Sequence, residues 1–240
     1  MNETPRWLLV SDVDDTLLGD DSALQTLAQA FRAASHLTVV YNSSRPCASL
    51  RRTLADNPYL PTPDYLIGAL GTEIQAGKSG QVLTDYTRHL NQGWQLDRIT
   101  AIMEGMDFVA HPPQYQTPLK VSYDVPGIDA YHQIIKELRR AEISAKVIYS
   151  GGKNLDIIPA KAGKGNVINY LHQILQIDPE HVAVAGDSGN DLEMFVAPYR
   201  GIVVANADAE LKQKQAGHIY HAQLRYAAGV LEGLRYWQFL

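Results

Sequence analysis

The chain is poor in the features that mark several whole classes of protein. It holds a single cysteine, Cys47, in 240 residues. One thiol makes no intramolecular disulfide, so a small secreted scaffold stapled by bridges is excluded. Cys47 and the histidines show no zinc-ligand spacing. No apolar run approaches the length of a membrane span, and no membrane partner is expected. Positive charge is scarce: Lys plus Arg number 21 against 26 Asp plus Glu, a formal net charge of −5. That balance offers no broad basic face, so nucleic acid is not expected as a partner. Internal repeats and low-complexity tracts are absent. The opening Met1-Asn2-Glu3-Thr4-Pro5-Arg6 leads into a very short apolar stretch that ends in acidic residues, not in a small-residue cleavage site. A secretory leader is therefore not expected, and a cytoplasmic monomer is the default expectation.

What remains is an ordinary globular composition, 45% hydrophobic and 20% charged, with length enough for one large domain or two modest ones. The chain opens as strand, acidic turn and helix. Trp7-Leu8-Leu9-Val10 suits a buried parallel strand, and Ser22 suits the N-cap of a helix whose apolar face is Leu24, Leu27, Ala28 and Phe31. The unit recurs at Leu37 to Tyr41, with Pro46 in the first turn of the next helix. Tyr65 to Leu70 reads as a third strand, and Gly77-Lys78-Ser79-Gly80 as a hairpin turn between Ile74 and Val82-Leu83.

The middle has another order. A helix near Trp94 to Met103, strands at Phe108 to Ala110 and Leu119 to Val125, a helix over Ile128 to Arg140, and strands at Ala145 to Tyr149 and Asn154 to Ile158 form an α-β-β-α-β-β unit. After Pro159 the alternation returns: a helix over Lys164 to Leu175, strands at His181 to Ala185 and Gly201 to Ala205, and a helix over Arg225 to Tyr236. The expected architecture is α/β, a Rossmann-like parallel core over residues 1–80 and 162–240, interrupted by an α+β insertion over residues 81–161.

Polar clusters fall where expected strands end, the edge at which open parallel sheets bind ligands. Asp12-Val13-Asp14-Asp15-Thr16 offers a carboxylate nucleophile with an acid/base carboxylate two residues on; read alone, it also fits a turn with a capping aspartate. Ser43-Ser44-Arg45 offers hydroxyl and backbone N–H groups to an oxyanion at a helix start, and also fits a plain cap. Gly186-Asp187-Ser188-Gly189-Asn190-Asp191 sets carboxylates and an amide in a glycine-rich turn, a hard oxygen set suited to Mg2+. Lys164 opens a helix, where a cation opposes the dipole. A site that needs a cation explains it, and so does a solvated surface position.

The clusters in this order resemble the haloacid dehalogenase-like hydrolase superfamily. Asp12-Val13-Asp14-Asp15-Thr16 matches its opening Asp-x-Asp-x-Thr motif, Ser43 the second, Lys164 the third and the 186–191 turn the fourth; the insertion resembles its type-two α/β cap. More narrowly, the chain resembles the sucrose-phosphate phosphatases of cyanobacteria and plants, through Leu70-Gly71-Thr72-Glu73-Ile74, Lys120-Val121-Ser122-Tyr123 and Ser150-Gly151-Gly152-Lys153-Asn154-Leu155-Asp156-Ile157-Ile158-Pro159. One departure is Ser44, where relatives often carry glycine, a change that restricts the backbone at the pocket edge.

The resemblance implies Mg2+-dependent hydrolysis of a sugar phosphate. Asp12 would attack phosphorus and become an aspartyl phosphate, while Asp14 would serve as acid and then base. Mg2+ would be held by Asp12, Asp187 and the Asp14 backbone, with Asp191 in support. Ser43, Ser44, Lys164 and Asn190 would bind the phosphoryl oxygens. Glu73, Lys120, Asn154 and Asp156 are the candidate sugar contacts, whereas Arg45 is read as pairing with a surface carboxylate in preference to lying near the site, and His111 and His132 as packing or surface residues. Sucrose 6-phosphate is the leading substrate, beside mannosylfructose phosphate and glucosylglycerol phosphate. A phosphohexomutase and a non-catalytic sugar-phosphate binder are the other readings. A synthase of the same pathway is a partner by pathway logic alone.

Overall fold

A computed structural model of the chain describes residues 6–240. Met1 to Pro5, on which much of the expectation of no leader rests, lie outside the described residues.

The first half alternates strand and helix: β1 (Trp7–Ser11), α1 (Asp21–Ala33), β2 (Leu37–Asn42), α2 (Cys47–Asp56), β3 (Tyr65–Gly68) and β4 (Glu73–Ala76). The middle carries α3 (Thr84–Asn91), α4 (Leu96–Gly105), β5 (Val109–Ala110), β6 (Val121–Asp124), α5 (Gly127–Arg140), β7 (Ala145–Ser150) and β8 (Asn154–Pro159). The chain then returns through α6 (Lys164–Leu175), β9 (Val182–Gly186), β10 (Arg200–Val203), α7 (Ala209–Lys212), β11 (Ile219–His221) and α8 (Tyr226–Tyr236).

The large sheet has seven strands in the order β11-β10-β9-β1-β2-β3-β4, parallel throughout except for the antiparallel β3–β4 pair. Its central strands are apolar runs without alternation because helices bury both faces of a parallel sheet. Leu8, Leu9 and Val10 of β1 and Val182 to Ala185 of β9 are fully buried. The small sheet, β5-β6-β8-β7, is antiparallel. Here alternate residues point to opposite faces. Val121, Tyr123, Leu155 and Ile157 form a separate core with Ile99 and Met103 of α4 and Ile134 and Leu138 of α5. The opposite face carries Lys120, Ser122, Asp156 and Lys146, and its Ile148 and Ile158 pack with the large core. The small sheet thus turns its polar face toward the large one.

Several boundaries differ from the sequence reading. Helix α1 is capped by Asp20, whose carboxylate accepts from the Ala23 N–H, and Ser22 lies inside the helix. The strand expected through Leu70 stops at Gly68, since Ala69 and Leu70 take positive φ in the turn to β4. The Ile74–Leu83 hairpin survives as a single bridge, Gln75 to Val82, and β4 pairs instead with β3. Helix α3 was not anticipated, and Gly93, at φ +79, separates it from α4, so the helix expected from Trp94 begins at Leu96. Tyr86 and Leu90 of α3 pack into the large core, not the small one. Strand β11 also went unread, being only three residues long.

The start of β1 and the end of the chain meet. The Trp7 and Phe239 rings lie 4.2 Å apart, and Trp7 also stacks on His181 at 4.3 Å. Leu9, the middle residue of β1, is fully buried in the large core, so Leu9→Ala is expected to lower stability by about 2–5 kcal/mol. Ile128, which is 53% exposed, should tolerate alanine within about 0.5 kcal/mol. Urea unfolding midpoints of the two variants check both statements.

Candidate active site

Strands β1, β2 and β9 end level. Ser11 pairs with Tyr41 on one side and Ala185 on the other. The residues that follow, Asp12, Ser43 and Asp187, therefore emerge together at one edge. The topology also reverses here, with β2 on one side of β1 and β9 on the other, which opens the crevice where such sheets bind ligands.

Asp12 is 6% exposed and still held in the ladder, its N–H donating to the Ala185 carbonyl at 2.9 Å. Lys164, at the start of α6, is 1% exposed. Its Nζ donates to Asp12 Oδ1 at 2.7 Å and to Asp191 Oδ1 at 2.6 Å. Asn42 Nδ2 donates to the Lys164 carbonyl at 3.0 Å and fixes the helix start. Asp191, fully buried in the 3-10 turn Gly189–Met194, turns its other oxygen to the N–H groups of Asp187 and Ser188 at 3.1 and 3.2 Å. A Cβ on Gly186 would lie 2.6 Å from Asp191 Oδ2, so only glycine leaves Asp191 its place. Thr16 Oγ donates to Asp187 Oδ1 at 3.1 Å.

One carboxylate oxygen from each of Asp12, Asp187 and Asp191 lies within 4.8 Å of the others. When all three are ionised, these carboxylates against one ammonium leave negative charge uncompensated. Burial pushes the Asp12 carboxyl up to about 8, with Lys164 opposing and Asp191 adding to the rise. Burial and then Asp191 push Asp187 up to about 7, against the Thr16 hydrogen bond. Burial alone would lower the Lys164 ammonium, but Asp12 and Asp191 outweigh it and hold it above its ordinary value. On the same turn, Asn190 Oδ1 is buried without a hydrogen-bond partner. An all-oxygen set with excess negative charge and an open acceptor fits a hard divalent cation.

Asp14 is not part of this cluster. Its side chain is 49% exposed and pairs with Arg45, whose Nη2 donates to Oδ1 at 2.9 Å while Nε lies 2.8 Å from Oδ2 as a charge contact without hydrogen-bond alignment. Arg45 is anchored in turn on Thr53 Oγ at 2.9 Å. Both readings of Arg45 meet in one contact: it pairs with a half-exposed carboxylate, and that carboxylate is Asp14, two residues from Asp12. The metal set read from the sequence uses the Asp14 backbone and not its side chain; the structure brings the Asp12, Asp187 and Asp191 carboxylates together, while the Asp14 side chain pairs with Arg45.

Ser43 is buried at the end of β2, its Oγ accepting from the Arg45 N–H at 3.1 Å. Ser44 is half-buried beside it, and positive φ among non-glycine residues falls elsewhere, so serine fits there without backbone strain. The sugar candidates separate. Lys120 Nζ reaches Ser122 Oγ at 2.6 Å and Asp156 Oδ1 at 2.7 Å, and Ser122 Oγ donates to Asp156 Oδ1 at 2.5 Å. That buried trio lies on the polar face of the small sheet, with Asn154 exposed at the start of β8. Glu73 is elsewhere engaged: its carboxylate accepts from the Cys47 N–H at 2.7 Å, at the start of α2. His111 pairs with Asp124 at 3.0 Å, and His132 is exposed on α5. Thr16, Asn42 and Ser122 received no role from the sequence. Thr16 was open to notice as the last residue of Asp-x-Asp-x-Thr, whereas the other two act only through partners distant in sequence.

A family model described as sucrose-6F-phosphate phosphohydrolase matches residues 5–238. The chain belongs to that family. It is a phosphatase of the haloacid dehalogenase-like superfamily. This family member is 35% identical to a mannosylfructose-phosphate phosphatase of Agrobacterium fabrum, over 97% of each chain. It is 32% identical to sucrose-phosphatase 1 of Nicotiana tabacum, covering 98% of this chain and 60% of that one. The chain thus spans about three-fifths of the tobacco protein's length. The crystal structure of the sucrose-phosphatase of Synechocystis, in complex with sucrose and phosphate, superposes with a TM-score of 0.90 at 32% identity, over 99% of this chain and 100% of that one. A haloacid dehalogenase-like hydrolase of Bacillus subtilis shares the fold at 17% identity, with a TM-score of 0.74 over 99% of this chain and 94% of that one. Among the described residues, no helix is long and apolar enough to cross a membrane.

The raised carboxyls have a pH consequence. In the folded protein Asp12 and Asp187 hold protons up to about 8 and about 7, whereas unfolded they release them near the ordinary carboxylate value. The native state then binds more protons than the unfolded one, so this contribution is present at low pH and is lost as pH rises toward 7 to 8. A cation competes with those protons, so MgCl2 should raise the Tm more at pH 8 than at pH 6. Thermal unfolding with and without MgCl2 checks this, and a shift independent of pH contradicts it.

Proposed function

We propose that the protein hydrolyses a disaccharide phosphate through an aspartyl-phosphate intermediate, with sucrose 6-phosphate as the first substrate to test. The observation that carries the reading is the division of labour between two carboxylates two residues apart. Asp12 is buried against Lys164, and Asp14 is half-exposed on Arg45. Two carboxylates in unlike environments are what nucleophilic and acid/base roles require.

Asp12 attacks phosphorus in line and takes the phosphoryl group, releasing the sugar oxygen, which Asp14 protonates. Asp14 then takes a proton from the water that cleaves the acyl phosphate and returns Asp12 as carboxylate. Lys164, Ser43, Ser44 and Asn190 hold the phosphoryl oxygens as their charge grows. Asp12, Asp187 and the Asp14 carbonyl, with Asp191 in support, would hold Mg2+, which when bound would supply positive charge between the attacking carboxylate and the phosphate. Within residues 81–161 the small sheet with α4 and α5 acts as the cap, since α3 packs on the core; Lys120, Asn154 and Asp156 bind sugar hydroxyls and the covered site excludes water. Glu73 is a weaker candidate, since its carboxylate already serves the start of α2.

Mannosylfructose phosphate is the second reading, favoured by the near full-length match to the Agrobacterium phosphatase. Both substrates present a fructosyl unit, so the pocket for the other hexose decides between them.

Phosphate release is measured on sucrose 6-phosphate, mannosylfructose phosphate, glucosylglycerol phosphate, glucose 6-phosphate and mannose 1-phosphate, with Mg2+ and with EDTA. Turnover of sucrose 6-phosphate that EDTA or Asp12→Asn abolishes is the expected result. Preference for another member replaces the substrate and keeps the mechanism, whereas isomerisation of mannose 1-phosphate without phosphate release sinks the phosphatase reading. Asp14→Asn should lose about 10²–10⁴-fold in kcat on the sugar phosphate, where the leaving oxygen needs a proton. The same variant should lose far less on p-nitrophenyl phosphate, whose leaving group departs as a stable anion.

A further inference from the structure

Lys164 is flanked by a glycine on each side, and the lysine's own contacts require neither. Both glycines make room for Glu193. A Cβ on Gly163, at φ +124, would lie 2.4 Å from Glu193 Oε2 and 2.5 Å from Lys146 Nζ. On Gly165 it would lie 2.3 Å from the Glu193 carbonyl oxygen. Glu193 belongs to the 3-10 turn that carries Asn190 and Asp191. Lys146 comes from β7, the edge strand of the small sheet, and its Nζ donates to the two Glu193 carboxylate oxygens at 2.9 and 3.0 Å. Among the described residues this is the one ion pair that joins the small sheet to the core. It is seated directly on the backbone that presents Lys164 to Asp12.

We propose that Lys146 and Glu193 are a positioning pair. They dock the edge of the small sheet onto the turn bearing Asn190 and Asp191, and so set the height of the sheet's polar face above Asp12. Neither residue need touch the substrate. A sugar held by Lys120 and Asp156 is then carried at a fixed distance from the nucleophile, and errors of ~1 Å in such a distance are expensive in rate. What the distance serves rests on the phosphatase reading; the docking itself does not. The pair is partly open to water, with side chains 23% and 41% exposed, so it weakens with salt.

The test uses Lys146→Met, Glu193→Gln and the reversed pair Lys146→Glu with Glu193→Lys. Steady-state kinetics are measured on whichever sugar phosphate the wild type turns over fastest, and on p-nitrophenyl phosphate, which has no hydroxyls for the polar face to hold. Each single variant should lose about 2- to 5-fold in the ratio of the two kcat/KM values, the range a partly exposed ion pair supplies, and the loss should lie in kcat for the sugar phosphate. Hydrogen exchange over residues 145–150 should quicken in the single variants. Reversal should recover both readouts, and salt should move the wild type toward the single variants. An unchanged ratio with unchanged exchange overturns the proposal, as does a loss equal on both substrates or one that reversal leaves in place. If the wild type hydrolyses no phosphate ester, the phosphatase reading fails. Exchange then decides the docking alone: unchanged rates overturn it, and faster rates recovered by reversal support it.

Discussion

An ammonium ion sealed from water is unstable without carboxylates against it, and Lys164 has two. Its burial between Asp12 and Asp191 constrains much else in the molecule. Asp12 must stand at the end of β1 and Asp191 on the turn after β9, so those strands must be neighbours. Helix α6 must begin where its first residue reaches both, which is why Asn42, at the end of β2, holds the Lys164 carbonyl. Lysine at a helix N-terminus opposes the dipole, and the two carboxylates offset that penalty. The pair of contacts thus ties β1, β2, β9 and α6 into one frame, though they come from both ends of the sequence.

The frame is polarised in charge as well as shape. Three carboxylates share a small volume with one ammonium, and burial keeps water from diluting their repulsion. Such a site is tuned to accept positive charge and, beside it, to stabilise oxygens that become more negative. Asp14 escapes this field by turning to Arg45. One short loop therefore presents two carboxylic acids with different surroundings, and the difference comes from the partners each meets and not from the loop itself.

The legibility of the sequence followed the range of the interactions. Strand-turn-helix units were readable because apolar runs and polar turns are local, and α6 was placed at its observed ends, Lys164 and Leu175. Asp12, Lys164 and Asp187 stood out as acid after a buried strand or a cation at a helix start, though Asp12 and Lys164 also fitted a cap and a surface position; that they share one cluster is visible only in the fold. The identity of the carboxylate that meets Arg45 is not legible locally, because Asp14 lies 31 residues away. Ser122 was overlooked because a serine in an alternating strand has no signature until Lys120 and Asp156 close around it. Glu73 reads as a candidate sugar contact, and only the fold shows the start of α2 beside it.

The contact of Trp7 with Phe239 gives the molecule a second pole. The His36 ring and the Phe239 carbonyl, 3.1 Å apart, and the His181 ring against Trp7 gather there too, at the edge where β1, β2 and β9 begin. From Trp7 to Asp12 the strand climbs about 16 Å, so both ends of the described chain leave from the side away from the carboxylates. Chain that continues from either end of the described residues therefore starts its path at the base of the sheet, on the far side of the core from the chemistry. Growth in length on this scaffold has a natural place to occur without crowding the mouth of the site.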